Sequence, residues 1–398
     1  MTARYAAPVW VGPLLSPTGF GDEGRGFVSW LRQTGVPIAA QSLDSDATGL
    51  LSRLVRDDPQ LVRNLHAALT APRELSSATA IVHVPAAWGV TAPSGVAYRV
   101  CRTMWETDSL NVYQVNCLNT FDEIWVPSSH NARSFVDAGV RVPVMIVPGG
   151  VDSAVFRPDA DPLYLPQARG TRFLSVFEWS HRKGPDVLLR AWADAFTSAD
   201  DVTLVLRCYP QNRFGDARDL TSEVDALIAE TLAAYGRRRE DGAPIVVIGR
   251  HLAPGELPSL YRAVDAYVSP ARGEGWGRPL MEAMATGLPV IGTGWGPPLD
   301  FMNPNNSLLI EVDRLSVVDG QMEVAAHQGQ RWAEPSTDHL VELLRHVHTN
   351  PGAARAVGQR ARRDIEQHWH WRRIAGIAAE RLAHIATELR HGAGVVTW

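Results

Sequence analysis

Twelve short apolar runs, in two groups of six, constrain this chain more than any other feature of it. The first group is Pro8–Leu14, Pro37–Leu43, Ala80–Val84, Ala97–Met104, Glu123–Pro127 and Val144–Val147. The second is Arg172–Phe177, Val202–Cys208, Pro244–Ile248, Ala266–Ser269, Pro289–Gly292 and Ser307–Ile310. Many are continuous and rich in Val and Ile, with no apolar–polar alternation. That pattern belongs to parallel strands covered on both faces. Helical stretches separate the runs, and strands alternating with helices build right-handed βαβ units. Each group of six therefore predicts one doubly wound, Rossmann-like α/β domain.

The 398 residues suit two or three domains, and 45% apolar content is ample for packed cores. Arg157–Arg169, with three prolines, two aspartates and no long apolar run, reads as a linker. The expected division is 1–160, 161–370 and a C-terminal helix over 371–398 that crosses back onto the first domain. That helix carries Ile374, Ile377, Ala378, Leu382 and Ile385 at helical spacing. Ligands are expected at the carboxyl ends of the strands, in a cleft the two domains face.

Charge and cysteine content narrow the function classes. A net charge of -5 argues against a nucleic-acid partner, which leaves a basic footprint. Cys101, Cys117 and Cys208 are too few and too scattered for a disulfide framework or a zinc site, so no metal is expected and a reducing compartment fits. No basic stretch followed by an apolar core opens the sequence, and no run of about 18 apolar residues spans a membrane. The expectation is a cytoplasmic protein.

Lys183 is the only lysine among 38 Lys and Arg residues. A composition this biased replaces lysine with arginine wherever either serves. The exception marks a place that needs a compact, strongly hydrated point charge on a flexible stem. Its setting, Ser180-His181-Arg182-Lys183-Gly184-Pro185-Asp186, lies between a strand-like run and a helix, where an anion can dock.

The densest signal is Ser269-Pro-Ala-Arg-Gly-Glu-Gly-Trp-Gly-Arg-Pro-Leu-Met-Glu. Glycines 273, 275 and 277 let the backbone approach a ligand closely. Pro279 suits the first turn of a helix, and the amides of Leu280 and Met281 can then meet a phosphate. Glu274 belongs to the loop and Glu282 to the first helical turn. Glu282 also reads as a carboxylate that favours the helix dipole. Two carboxylates flanking a phosphate-binding turn suit two hydroxyl-bearing groups, a hexose and a ribose.

These residues resemble the retaining glycosyltransferases of family 4, which have the GT-B fold. Glu274 and Glu282 match the family's Glu, seven residues, Glu spacing. The resemblance implies that Glu274 contacts the donor sugar. It implies backbone contacts from Gly275, Trp276 and Gly277, with Arg278, Pro279 and Leu280 beside them, and Glu282 on the ribose. Lys183-Gly184 resembles the family's diphosphate-binding lysine, and Pro148–Asp152 with Phe156–Pro158 its interdomain passage. An arginine usual in the family before that lysine is replaced by Phe177-Glu178-Trp179. Either Arg182 takes over its charge or fewer cations hold the pyrophosphate. Arg250 and His251, at another strand end, are candidates for base or phosphate contact; Arg250 also reads as a surface arginine.

In the first half, Gly19-Phe20-Gly21-Asp22-Glu23-Gly24 spells a dinucleotide fingerprint, with Asp44 twenty residues on. The true motif follows its strand immediately, whereas Leu15–Thr18 intervene here. Gly19, Phe20 and Gly21 are instead expected as a Gly-rich turn on the donor, a role the resemblance implies. His83, Glu106 and Asp108 lie at strand ends and are expected on the acceptor side. His83 also reads as a hydrogen-bonded strand histidine, and Glu106 and Asp108 as a solvated turn or cap. His368-Trp369-His370 reads as a solvent-facing stretch with inward tryptophans. The implied activity is metal-independent, retaining sugar transfer from a nucleotide-diphosphate sugar, without a cofactor, to a small polar molecule or glycan. A nicotinamide oxidoreductase, a pyridoxal phosphate enzyme built on Lys183, and a nucleotide-sugar epimerase or binder are the rivals.

Overall fold

The computed structural model describes residues 7–46, 50–210, 218–250, 252–253, 255–319 and 325–390. The chain divides into two compact units: 1–105 with 109–150 and 369–398, and 106–108 with 151–368. The passage between them falls at Gly150/Val151, ten residues before the expected 160/161. The proline-rich stretch belongs to the second unit, where Leu163 N–H donates to the Ser259 carbonyl and Phe156 meets the Tyr261 ring edge-on.

The first unit runs β1 (Val9–Gly12), α1 (Gly19–Gln33), β2 (Ala39–Ser42), α2 (Leu50–Asp57), α3 (Pro59–Leu69), β3 (Thr79–His83), β4 (Tyr98–Arg102), α4 (Val112–Leu118), β5 (Glu123–Val126), α5 (Ser129–Ala138) and β6 (Val144–Ile146). Its six strands are all parallel, in the order β2-β1-β3-β4-β5-β6.

The second unit runs β7 (Thr171–Trp179), α6 (Pro185–Ala195), β8 (Val202–Pro210), α7 (Thr221–Ala233), β9 (Ile245–Val247), α8 (Glu256–Arg262), β10 (Ala266–Ser269), α9 (Arg278–Thr286), β11 (Val290–Thr293), β12 (Leu308–Ile310), β13 (Val312–Val317), β14 (Arg331–Pro335), α10 (Thr337–Thr349) and α11 (Pro351–His368). Six of its strands form a parallel sheet in the order β12-β11-β10-β7-β8-β9. Strand order reverses between the paired β10 and β7, and ligands of open α/β sheets bind at the carboxyl ends beside such a switch.

All twelve apolar runs are strands, because a strand covered by helices on both faces has no polar face to present. The antiparallel hairpin β13–β14 was not expected. Strand β13 reads Val-Asp-Arg-Leu-Ser-Val and is mostly exposed, so it lacks the continuous apolar signature.

The last helix, α12 (Trp371–Arg390), lies in the first unit's core. Ile374, Ala378, Leu382 and Ile385 are buried there, the isoleucine and leucine side chains each contributing about 1.5–3 kcal/mol. The Trp371 ring meets Phe27 edge-on at 5.1 Å and crosses two glycines. A Cβ on Gly26 would lie 2.3 Å from it, and one on Gly150 2.8 Å. Arg381 pairs with buried Glu123, which also accepts from Trp125 Nε1 at 2.6 Å.

Candidate functional site

The loops after β7 and β10 meet beside the switch point. After β7 a single 3-10 turn, His181–Lys183, ends at Gly184 in the left-handed region (φ 67°), and Pro185 starts α6. Only glycine fits at 184, because a Cβ there would lie 2.2 Å from the Pro270 carbonyl oxygen. Arg272 N–H donates to the Arg182 carbonyl (2.7 Å), and Arg182 Nη1 donates to the Gly273 carbonyl (2.8 Å). These contacts place Lys183 Nζ 2.7 and 2.8 Å from the two oxygens of Glu274. Arg182 stands 3.9 Å from the same carboxylate. Burial lowers the Lys183 pKa, opposed by the charge of Glu274 and reinforced by that of Arg182.

Arg272 holds the two loops together and was missed in the sequence. Its side chain is 3% exposed and donates to Asp186 (2.8 and 2.7 Å), Glu334 (2.7 Å) and the His181 carbonyl (2.7 Å). Burial pushes the Asp186 carboxyl up, but its hydrogen bonds from Arg272 leave it below its usual value. No local pattern announces this role; the only signal was an arginine inside an otherwise apolar and glycine-rich loop.

The glycine-rich loop runs into α9 through Gly277, left-handed at φ 92°. Pro279 lies in the first turn, as expected, and Gly275 is buried. Trp276 is buried too, its ring packed edge-on against Phe301 at 5.0 Å, so its side chain anchors the loop. Of the two amides expected for a phosphate, Met281 N–H already donates to the Gly277 carbonyl (3.2 Å), which leaves Leu280. Glu282 lies one turn inside the helix, past the first turn where a dipole contact would need it. Its carboxylate accepts from Tyr261 Oη at 2.9 Å and faces Arg278 at 3.5 Å. Burial, then the Glu282 charge, keeps the Tyr261 phenol well above its usual pKa, so it remains a donor. Tyr261, on α8, is a second residue the sequence did not reveal.

Glu106 and Asp108, expected together on the acceptor side, have contacts in the second unit and part company there. Glu106 lies 3.2 Å from His327 Nε2. Burial pushes its carboxyl up, but the Arg182 charge, the His327 hydrogen bond and the Lys183 charge outweigh it and bring it to about 2. Asp108 pairs with Arg331 of β14 at 2.7 Å. Arg250 makes a two-pronged pair (2.9 and 2.7 Å) with Glu256, the first residue of α8, at the surface. His251 lies outside the described residues.

The first-half candidates differ from expectation. Gly19, Phe20 and Gly21 do not form a Gly-rich turn; they open α1, capped by Thr18, whose hydroxyl accepts from Gly21 N–H. A Cβ on Gly21 would lie 2.2 Å from the Ser16 carbonyl oxygen. Asp44, the acid of the apparent fingerprint, accepts from Leu15 N–H at 2.9 Å and so pins the loop before α1. His83 ends β3 fully buried, 3.1 Å from Glu23, whose other oxygen accepts from Arg102 at 2.6 Å. Phe20 lies 5.1 Å from the His83 ring. His83 is thus the hydrogen-bonded strand histidine of the second reading.

Comparison with known proteins follows the same lines. Residues 171–319 match the family described as glycosyl transferases group 1. The lipopolysaccharide core biosynthesis mannosyltransferase LpsB of Rhizobium meliloti is 28% identical over 176 residues, 42% of this chain and 44% of that protein. The D-inositol 3-phosphate glycosyltransferase of Corynebacterium aurimucosum is 26% identical over 258 residues, 60% of this chain and 52% of that one. The chain thus spans about half the length of these two curated relatives. Anabaena HepE, solved in complex with UDP and glucose, matches with a TM-score of 0.62 at 15% identity, over 95% of this chain and 100% of that one. The fold is GT-B.

Proposed function

We propose that this chain, in which residues 171–319 form a glycosyl transferases group 1 domain within a GT-B fold, moves a sugar from a nucleotide-diphosphate donor to an acceptor hydroxyl. The observation that carries the reading is the Lys183–Glu274 pair beside the sheet's switch point. A cation for a diphosphate and a carboxylate for sugar hydroxyls stand within one hydrogen bond of each other, on loops held by Arg272.

In this reading Lys183 and Arg182 take the diphosphate, with Leu280 N–H at the start of α9, and Glu274 accepts from a sugar hydroxyl. Glu282, oriented by Tyr261, accepts from the ribose. As the bond from the anomeric carbon to the phosphate oxygen breaks, its electron pair stays on that oxygen. Preorganised cations stabilise growing charge there most effectively. The acceptor oxygen then bonds the anomeric carbon on the same face and its proton passes to the departing phosphate, which retains the configuration. Two cations already face the leaving group, so the scheme needs neither metal nor cofactor. The acceptor class is a small polar molecule or glycan.

The test is a panel of UDP-, GDP- and ADP-sugars screened for thermal stabilisation, followed by transfer assays with the best donor in EDTA. Product NMR then reads the anomeric configuration. No stabilisation by any nucleotide sugar would sink the donor reading. An inverted product, or activity abolished by EDTA and restored by a divalent cation, would sink the mechanism.

A further inference from the structure

Two segments of the first unit, one following β3 and one leading into α4 after β4, hold aromatic side chains out to solvent. Strands β3 and β4 pair in parallel, so both segments lie beyond the carboxyl ends of the sheet, where ligands of open α/β sheets bind. From Val84 to Ala97 and from Ser109 to Phe121 no residue is charged and none is a histidine, although Asp, Glu, Lys and Arg make up 20% of the chain. Within these stretches Trp88 is 55% exposed and Tyr113 64%, with Val112 beside them at 78%. Thr91, Ser94 and Asn116 are exposed too and are polar without charge.

The two segments are tied to each other. Trp88 ends a 3-10 turn, Ala86–Trp88, that closes on Gly89 in the left-handed region (φ 58°). The Tyr113 ring lies so close over Gly89 that a Cβ there would meet it at 2.2 Å. The Gly89 carbonyl accepts from Cys117 Sγ at 3.2 Å, and Ala92 N–H donates to the Thr120 hydroxyl at 2.9 Å. Asn111 and Gln114 close the start of α4 with reciprocal side chain to backbone bonds, both 2.9 Å. The turn and the helix thus form one surface that is ordered before any ligand arrives, which lowers the entropy lost on binding.

Exposed apolar side chains rimmed by polar groups mark a binding surface, and the missing charge selects its occupant. Neither stretch offers a charge to a phosphate, an anionic lipid headgroup or a charged peptide. A pyranose ring suits both properties. One of its faces carries C–H bonds whose weakly positive hydrogens meet the negative face of an aromatic ring. Its hydroxyls, which donate and accept, match neutral hydroxyls and amides such as those of Thr91, Ser94 and Asn116. We propose that Trp88 and Tyr113 form a stacking platform for an uncharged glycan. In the transferase reading, on which this use of the platform rests, that glycan is the acceptor, and the acceptor class narrows to neutral sugar chains.

The test titrates the full chain with neutral oligosaccharides of the maltose, cellobiose and mannose series, read by calorimetry and by saturation-transfer NMR. At least one is expected to bind, with the strongest transfer at the C–H protons of one ring face. Its affinity should hold when salt is raised tenfold from about 50 mM, because no ion pair forms. Trp88→Ala and Tyr113→Ala should each weaken binding about tenfold, and Trp88→Phe and Tyr113→Phe should recover most of that loss. A cooperative thermal melt checks that each variant folds; should Tyr113→Ala fail it, Trp88→Ala and Trp88→Phe carry the comparison. No binding of any of these oligosaccharides at millimolar concentration, or undiminished binding by Trp88→Ala, overturns the proposal. So does a protein that binds no sugar but loses, in Trp88→Ala, its binding to phosphatidylcholine vesicles or a dimer seen in sedimentation; the surface then meets a lipid or a second copy. Sugar binding that depends on Trp88, in a protein that no nucleotide sugar stabilises, upholds the platform and overturns the transferase reading.

Discussion

Lys183 Nζ lies 2.7 and 2.8 Å from the two carboxylate oxygens of Glu274, a residue 91 positions further along the chain. The only lysine of the protein is therefore neutralised by a group that the proposed reaction needs elsewhere. In the proposed reaction an arriving diphosphate competes for the ammonium and frees the carboxylate for the sugar. An amine-reactive reagent can modify only Lys183 and the N-terminus, so mass spectrometry should show Lys183 protected by saturating nucleoside diphosphate. Lys183→Ala should lower kcat about 10²–10³-fold, the cost of one preorganised donor to a developing oxyanion.

Burial lowers the Lys183 pKa in the ligand-free protein. A diphosphate raises it again, so binding takes up protons at alkaline pH. Calorimetry across the alkaline range in buffers of different ionisation enthalpy should reveal this uptake in wild type and its loss in Lys183→Ala. Equal apparent enthalpies in all buffers would contradict it.

Tyr261→Phe removes one hydrogen bond to Glu282 and leaves the ring in place. The expected cost is about 0.5–1.5 kcal/mol in donor binding, seen as a raised KM with kcat nearly unchanged. A fall in kcat at constant KM would place Tyr261 in the chemistry instead.

Arg272→Ala strands Asp186 and Glu334, both paired with a nearly buried guanidinium. Breaking such a pair costs about 3–5 kcal/mol. Urea unfolding should register that loss, and diphosphate binding should weaken with it, because the Lys183 turn and the Glu274 loop then keep only the residue 272 N–H bond to the Arg182 carbonyl and the Arg182 bond to Gly273, without the Arg272 side chain's bond to the His181 carbonyl.

Burial pushes the Glu23 carboxyl up, but the Arg102 charge and the His83 hydrogen bond outweigh it and take it from 4.5 to about 2. A carboxyl lowered on folding stabilises the protein fully above its unfolded pKa. Its contribution is complete above pH 4.5 and is lost as the pH falls toward 2. Glu23→Gln should therefore lose about 3–5 kcal/mol at pH 7 and flatten this part of the acid limb, as read by urea melts across the range.

The particular elements show why some features were legible and others not. Strands β1 to β12 were readable because continuous apolar runs leave a local mark, and Lys183 because a lone lysine is a compositional fact. Glu274 was readable through its spacing from Glu282 within one loop and helix. The exposed hairpin β13–β14 left no such mark. Gly19–Gly21 misled because glycine is permissive: the same residues suit a turn or, as here, the tightly packed start of a helix.

Hydrophobic period, glycine and proline placement and one biased composition were enough to determine two doubly wound sheets and a glycine-rich loop entering a helix, and to single out Lys183 and Glu274, which the structure pairs. They act within a few residues of the chain, so they can be read along it. The tertiary structure decided which charges meet: Arg272 with Asp186 and Glu334, Tyr261 with Glu282, Glu106 with His327. Such pairs obey distance in space and carry no period in sequence. Lys183, conspicuous from the start, acquired its partner only when β7 and β10 came to lie side by side.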